Sequence, residues 1–301
     1  MRKSLKLIIL ILLSHVHVRA QDEFLWWVEK HDWDGISHWS RYMTFSTSFM
    51  GPSALPVPEV RKGNFEKRFE VEQMAGAHFS KGENTLDFFS RVLLPIAESK
   101  AALEFFVMPL EFFDTDTITR DVRAARTREG KGHSGGDIYI ASLIQIASGR
   151  KNFPDIMLEL TLRTASGTRL RDARHTDAPG YYMNLSSGKT ISLGQDRKDS
   201  LRPHVMAGFY SWQTNDPDHF QNDAFLYGAG LDYIRDAFSV SATLSGYSGY
   251  LNNGDSPLVF RAEGKWGFRN KDIKLWYRKG LKDFDYQSIR VGVILHFSMK
   301  S

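Results

Sequence analysis

The sequence predicts an all-β chain, a transmembrane antiparallel up-and-down β-barrel of about twelve strands, and three observations carry that prediction. Segments of about 9 to 14 residues alternate apolar with polar side chains, a length that lets a tilted strand cross a bilayer. Beyond residue 20 no apolar run is long enough for a membrane-spanning helix. The first twenty residues are laid out as a cleavable export signal.

That signal reads from its three parts. Arg2, Lys3 and Lys6 form the positive end, residues 7–13 are unbroken apolar, and Val18-Arg19-Ala20 places small residues where a signal peptidase cuts. A membrane anchor would need about 20 apolar residues, so cleavage between Ala20 and Gln21 is expected. Arg2, Lys3, Lys6 and Arg19 leave with the signal, and the 39 basic residues fall to 35, equal to the 35 acidic ones. The basic isoelectric point is thus a property of the leader, and nothing calls for nucleic acid as a partner. The chain has no cysteine, which excludes a disulfide scaffold, thiol nucleophiles and cysteine metal sites.

Period-two patterning then places the strands. In residues 155–166, Ile156, Leu158, Leu160 and Leu162 share one face, while Met157, Glu159, Thr161 and Arg163 share the other. Phe238, Val240, Ala242 and Leu244 likewise oppose Ser239, Ser241, Thr243 and Ser245; Ile273, Leu275 and Tyr277 oppose Lys274, Trp276 and Arg278. Charges confined to one face mean that the two faces meet different solvents. The same test predicts strands at 66–80, 85–96, 101–113, 136–148, 155–166, 180–192, 202–213, 223–234, 237–248, 257–268, 271–279 and 286–297. The segments within 85–113 are least regular, because Phe88-Phe89 and Phe105-Phe106 put aromatics on both faces.

The last strand carries a resemblance. Residues 290–297, Arg-Val-Gly-Val-Ile-Leu-His-Phe, are similar to the terminal signal of Gram-negative outer-membrane β-barrel proteins, with Gly292, Leu295 and Phe297 at its recognised positions. The departure is that Phe297 is followed by a four-residue tail, 298–301. The chain resembles this class, including its porin-like members of Bacteroidetes type, over residues 64–297. The resemblance implies insertion by the barrel-assembly machinery and contact with outer-membrane lipid and lipopolysaccharide. Connection lengths agree with it: such barrels keep short turns on the periplasmic side and longer loops outside. Expected turns are 98–100, 149–154, 235–236 and Asn270; expected outer loops are 114–135, 167–179, 213–222 and 250–256. The connection at 81–84 is short for a loop, and 194–200 is long for a turn.

Residues 21–63 stand apart. Trp26, Trp27, Trp33 and Trp39 are interleaved with His31, Asp32, Asp34 and His38, and the prolines of 51–58 cannot sit in a central strand. Residues 41–50 form a further candidate strand. The segment is expected at the periplasmic mouth, within the lumen as a candidate plug, or as a mobile leader. The His and Asp spacing fits no metal motif, and packing or interfacial anchoring suits the tryptophans better.

Glu70, Glu72, Glu104, Glu159, Arg163, Arg261, Glu263, Lys265, Lys274, Arg278 and Arg290 all fall opposite apolar positions. Facing lipid, each Arg or Lys would cost about 2–4 kcal/mol, so these residues are expected to line the lumen. Arg120, Arg123, Arg126 and Arg128 in one long loop, with Arg169, Arg171 and Arg174 in the next, form a candidate basic collar at the outer mouth. The alternative is ordinary solvated charge balanced by neighbouring acids. No nucleophile elbow, P-loop or dinucleotide fingerprint occurs, and no cofactor is called for. The expected function is a passive channel or transporter for small polar solutes. An outer-membrane enzyme acting on lipid, or a closed structural or assembly barrel, are the alternatives.

Overall fold

The computed structural model describes residues 24–97, 100–194 and 198–298. The leader at 1–20, Glu98 and Ser99 of one expected turn, 195–197 of another and most of the C-terminal tail lie outside the described residues.

Chain order gives β1 (Phe69–Ser80), β2 (Glu83–Ile96), β3 (Ala101–Thr115), β4 (Lys131–Ser134), β5 (Tyr139–Ala147), β6 (Asp155–Arg163) and β7 (Gly180–Gly188). Then follow β8 (Ile191–Leu193), β9 (Asp199–Gln213), β10 (Gln221–Arg235), β11 (Phe238–Gly249), β12 (Leu258–Phe268), β13 (Lys271–Lys282) and β14 (Gln287–Phe297). Twelve of them form a closed antiparallel barrel; β4 and β8 are short additions paired to β3 and β9. First and last strands close the ring, with Phe69 opposite Phe297. Among the described residues, closure gives each of the twelve barrel strands a neighbour on both sides, the condition for a sheet in a bilayer.

The two faces separate as the alternation demands. On β6, Leu160 and Leu162 are exposed on the outer surface, whereas Met157, Glu159, Thr161 and Arg163 are all buried inside. On β13, Ile273 and Leu275 point out, and Lys274, Trp276 and Arg278 point in. The irregular pair Phe88-Phe89 sits on a register shift between β2 and β3. Phe88 faces out, and Phe89 packs inside with Met74, Met108 and Trp276.

The long connections 116–138, 164–179, 214–220 and 250–257 share one end of the cylinder, the loop rim, with the short 81–82 and 283–286; the other end, the turn rim, has short turns apart from the connection that carries β8. At the turn rim, Asp236 takes φ 48°, a left-handed conformation that aspartate tolerates in a tight hairpin. The loop at 116–138 is structured. Its helix, Thr117–Val122, is capped by Asp116, whose Oδ1 accepts from the Thr119 backbone N–H at 2.7 Å, and β4 prolongs the wall beyond it. Accordingly β5 starts at Tyr139 rather than at 136, and the strand expected over 180–192 divides into β7 and β8. Residues 41–50 make turns, not a strand. A helix at Leu25–His31 precedes them, packed by Trp27 against Ala124 of the loop rim.

Candidate functional site in the barrel lumen

Residues 24–43 lie among the loops, and 44–63 run down the inside of the barrel to the turn rim. The upper end is fixed by an apolar cluster of Trp27, Met43, Phe45, Met50 and Ala54 with Ala124, Ala173 and Ala178 of two loops. Below it, Leu55, Val57 and Val60 pack on the inner-face aromatics Tyr139, Tyr182, Tyr210, Trp212 and Tyr247. The segment is therefore neither confined to the periplasmic mouth nor a loose leader.

Prolines at 52, 56 and 58 remove backbone donors but leave every carbonyl, and the wall answers with donors. The Ala54 carbonyl accepts from Arg163, Leu55 from the Tyr247 hydroxyl, Val57 from Arg261, Pro58 from Ser245 and Lys62 from Arg202. Charges follow once the prolines end. Arg61 lies 2.6 Å from both Glu104 and Glu159; Lys62 is 3.0 Å from Asp232, and Glu59 is 2.8 Å from Arg91. Gly63 (φ +79°) then passes so close to the backbones of Asp155 and Gly188 that a Cβ would come within 2.6 Å of each.

The wall residues expected to line the lumen all fall inside, mostly in ion pairs. Glu72 meets Lys274 at 2.9 Å and Arg91 at 3.4 Å, while Glu263 meets Lys274 at 3.0 Å. Glu70 is 2.9 Å from His296, which also reaches Asp272 at 3.1 Å. Arg290 chelates Asp87, which in turn contacts His78 at 2.9 Å. Lys265 lines the cavity at the turn rim. Arg278 stacks on Trp276 and Phe284 and donates to Ser288 at 3.3 Å. Sequence reasoning missed Glu59, Arg61, Lys62, Asp87, Arg91 and Asp232. Glu59 and Arg61, two apart just after the proline run, were the available signal.

The basic collar is corrected. Arg174 is fully buried between Glu83 and Glu111, and Arg123 reaches Glu83 and the Tyr286 hydroxyl. Arg120 stacks on Trp26, and Arg126 lies over Phe24 and near Trp27 and Trp39. Arg169 pairs with Asp172 at 2.7 Å. Only Arg128 and Arg171 of the seven stay exposed. The loop cations fold inward because strand ends supply carboxylates and the N-terminal segment supplies aromatic faces. Burial works against the Arg174 charge, but Glu111 and Glu83 outweigh it and hold its pKa above the ordinary value. Burial pushes the neighbouring His175 imidazole down to about 4 against the pull of Asp137, and Arg174 and Arg163 add to the push.

Two spaces remain beside the segment. A vestibule of about 460 Å³ opens at the turn rim, walled by the ion pairs of Arg61, Lys62, Glu72 and Lys274. A recess of about 70 Å³ lies deeper, between Pro52, Pro56 and Pro58 and the wall around Phe89, Trp276 and Arg278.

No known family model matches the sequence, and no curated protein sequence matches it. Solved structures do match in fold. An outer membrane channel from Pseudomonas putida F1 aligns with a TM-score of 0.52 at 14% identity, over 81% of this chain and 97% of that one. The KdgM porin aligns with a TM-score of 0.46 at 10% identity, over 75% of this chain and 99% of that one. With its closed antiparallel wall, apolar outer face and polar interior, this chain has the fold of an outer-membrane β-barrel.

Proposed function

We propose that the protein is an outer-membrane channel for small polar solutes whose lumen is closed by its own N-terminal segment. The observation that carries this is the match between a donor-poor, proline-containing stretch and a lumen that offers it side-chain donors from four strands. A barrel filled only for stability would be filled more simply by side chains from its own wall, as small barrels are. A separate segment held by salt bridges and hydrogen bonds beside a vestibule of about 460 Å³ is a plug with room to move. Longer loops face outward in this class, so residues 24–43 lie at the cell surface and the vestibule opens to the periplasm. The outer belt meets membrane lipid, and we assign the exposed Arg128 and Arg171 to lipopolysaccharide phosphates. The terminal strand is the surface offered to the barrel-assembly machinery.

The test is conductance in planar bilayers of the purified full-length protein and of a chain lacking residues 21–60. The full-length protein is expected to conduct little, and the deletion to conduct more. Equal conductance of two correctly inserted proteins overturns the plug, and no conductance from either marks a closed structural barrel.

A further inference from the structure

We infer that the deep recess is a binding site for a small organic carboxylate, held by Arg261 and Arg278. The argument begins with charge. Arg61, Arg91, Lys274 and Arg290 each meet a carboxylate inside the barrel. Arg261 and Arg278 are 5% and 4% exposed, and among the described residues no carboxylate lies within 4.0 Å of either. Arg261 donates to Ser245 and to the Val57 carbonyl, and Arg278 to Ser288, all neutral acceptors. The Nε of each is buried with no hydrogen-bond partner. Two neighbouring guanidinium ions held this way are costly, and an apolar side chain would serve packing better at either position. An anion between them offsets that cost.

Space and lining set the class of anion. The recess takes about 70 Å³. At about 10–15 Å³ for each water, that is room for about five to seven waters, enough for an anion of benzoate size. Its walls are Phe89, Phe106, Tyr139 and Trp276, with Pro52 and Pro56 from the segment. Trp276 lies between two cations, 5.2 Å from Arg278 and 5.1 Å from Arg290. An aromatic wall beside paired guanidinium groups suits a carboxylate with an apolar body over a bare, strongly hydrated ion. Glu59, Arg61, Arg91 and Glu104 line both recess and vestibule, so the two spaces share a wall made of these ion pairs.

The experiment is calorimetric titration of the purified full-length protein in detergent with sodium benzoate, with chloride and inorganic phosphate as parallel arms. Saturable benzoate binding is expected, weakened at least tenfold in Arg278→Met and in Arg261→Met. Both variants are expected to remain heat-modifiable, and Arg278→Met, which orphans no segment carbonyl, is expected to unfold at higher urea because it removes a buried charge with no carboxylate within 4.0 Å. That increase separates a ligand site from a structural arginine, whose loss would lower the midpoint. No saturable benzoate binding, benzoate binding unchanged in both variants, or phosphate binding as tight as benzoate each overturns the assignment. Calorimetry reads binding whether or not the lumen conducts, so this failure is distinct from failure of the channel proposal.

Discussion

Arg61 and Glu159 stand 2.6 Å apart, the first on the segment inside the lumen and the second on β6 of the wall, and Glu104 of β3 closes on the same guanidinium at 2.6 Å. One cation thus ties the segment to two strands. Arg61→Met leaves two buried carboxylates without it, and breaking a buried pair costs about 3–5 kcal/mol. The wall keeps its own hydrogen-bond ladders, so the segment is the part expected to loosen. Bilayer conductance should rise at unchanged insertion, and adding Glu104→Gln with Glu159→Gln should bring it partly back. Conductance equal to that of the unaltered protein would show that this contact does not hold the plug.

The threading direction gives a second expectation. Ile36 is 91% exposed beside the loops, and Arg171 is exposed on the loop between β6 and β7. With no native cysteine in the chain, Ile36→Cys and Arg171→Cys report cleanly. Both should react with an impermeant maleimide on intact cells. Reaction of Arg171→Cys alone would mean that the segment withdraws from the surface; reaction of neither until the outer membrane is breached would reverse the orientation.

The wall was legible in the sequence because lipid and lumen impose opposite demands on alternate residues, and β6, residues 238–245 of β11 and residues 273–278 of β13 obey them. Strands β4 and β8 escaped because three or four residues carry no period. The loop cations misled for a different reason. Composition displays the charge of Arg174 but not its partners, Glu83 and Glu111, which come from strand ends about 90 and 60 residues earlier. The path of residues 44–63 was half legible. Prolines ruled 51–58 out of the sheet, but the donors that receive it are scattered over Arg163, Arg202, Ser245, Tyr247 and Arg261, and only folding brings them together.

Phe297 tests the terminal strand. Its ring lies 5.3 Å from Phe69 across the closing seam, on the lipid-facing side of the turn rim. Gly292 in the same strand runs close to β1, where a Cβ would come within 2.1 Å of the Gln73 carbonyl. Phe297→Ala removes an exposed ring and leaves the ladder intact, so stability after folding should change by only about 1 kcal/mol. If the ring is read during assembly, the amount of heat-modifiable protein in the membrane should fall severalfold. A normal membrane yield would remove Phe297 from the insertion signal, while Gly292→Ala, which strains the seam itself, would be expected to lower yield in either case.

Acid should loosen the loop rim before the wall. His175 is fully buried, faces Asp137, Arg174 and Arg163, and has Glu111 4.0 Å away. Its folded pKa is pushed down to about 4 from the ordinary 6.5, so the unfolded chain binds the proton more readily than the folded one. Stability from this residue is therefore complete above pH 6.5 and is lost as pH falls from 6.5 towards 4. At pH 5 the loss amounts to about 2 kcal/mol. His175→Asn removes the titration while keeping a small polar side chain. Protease accessibility of the 116–138 and 164–179 loops, followed from pH 7 to pH 5, should rise in the native sequence and rise much less in His175→Asn. Equal acid response in both would place the titrating group elsewhere.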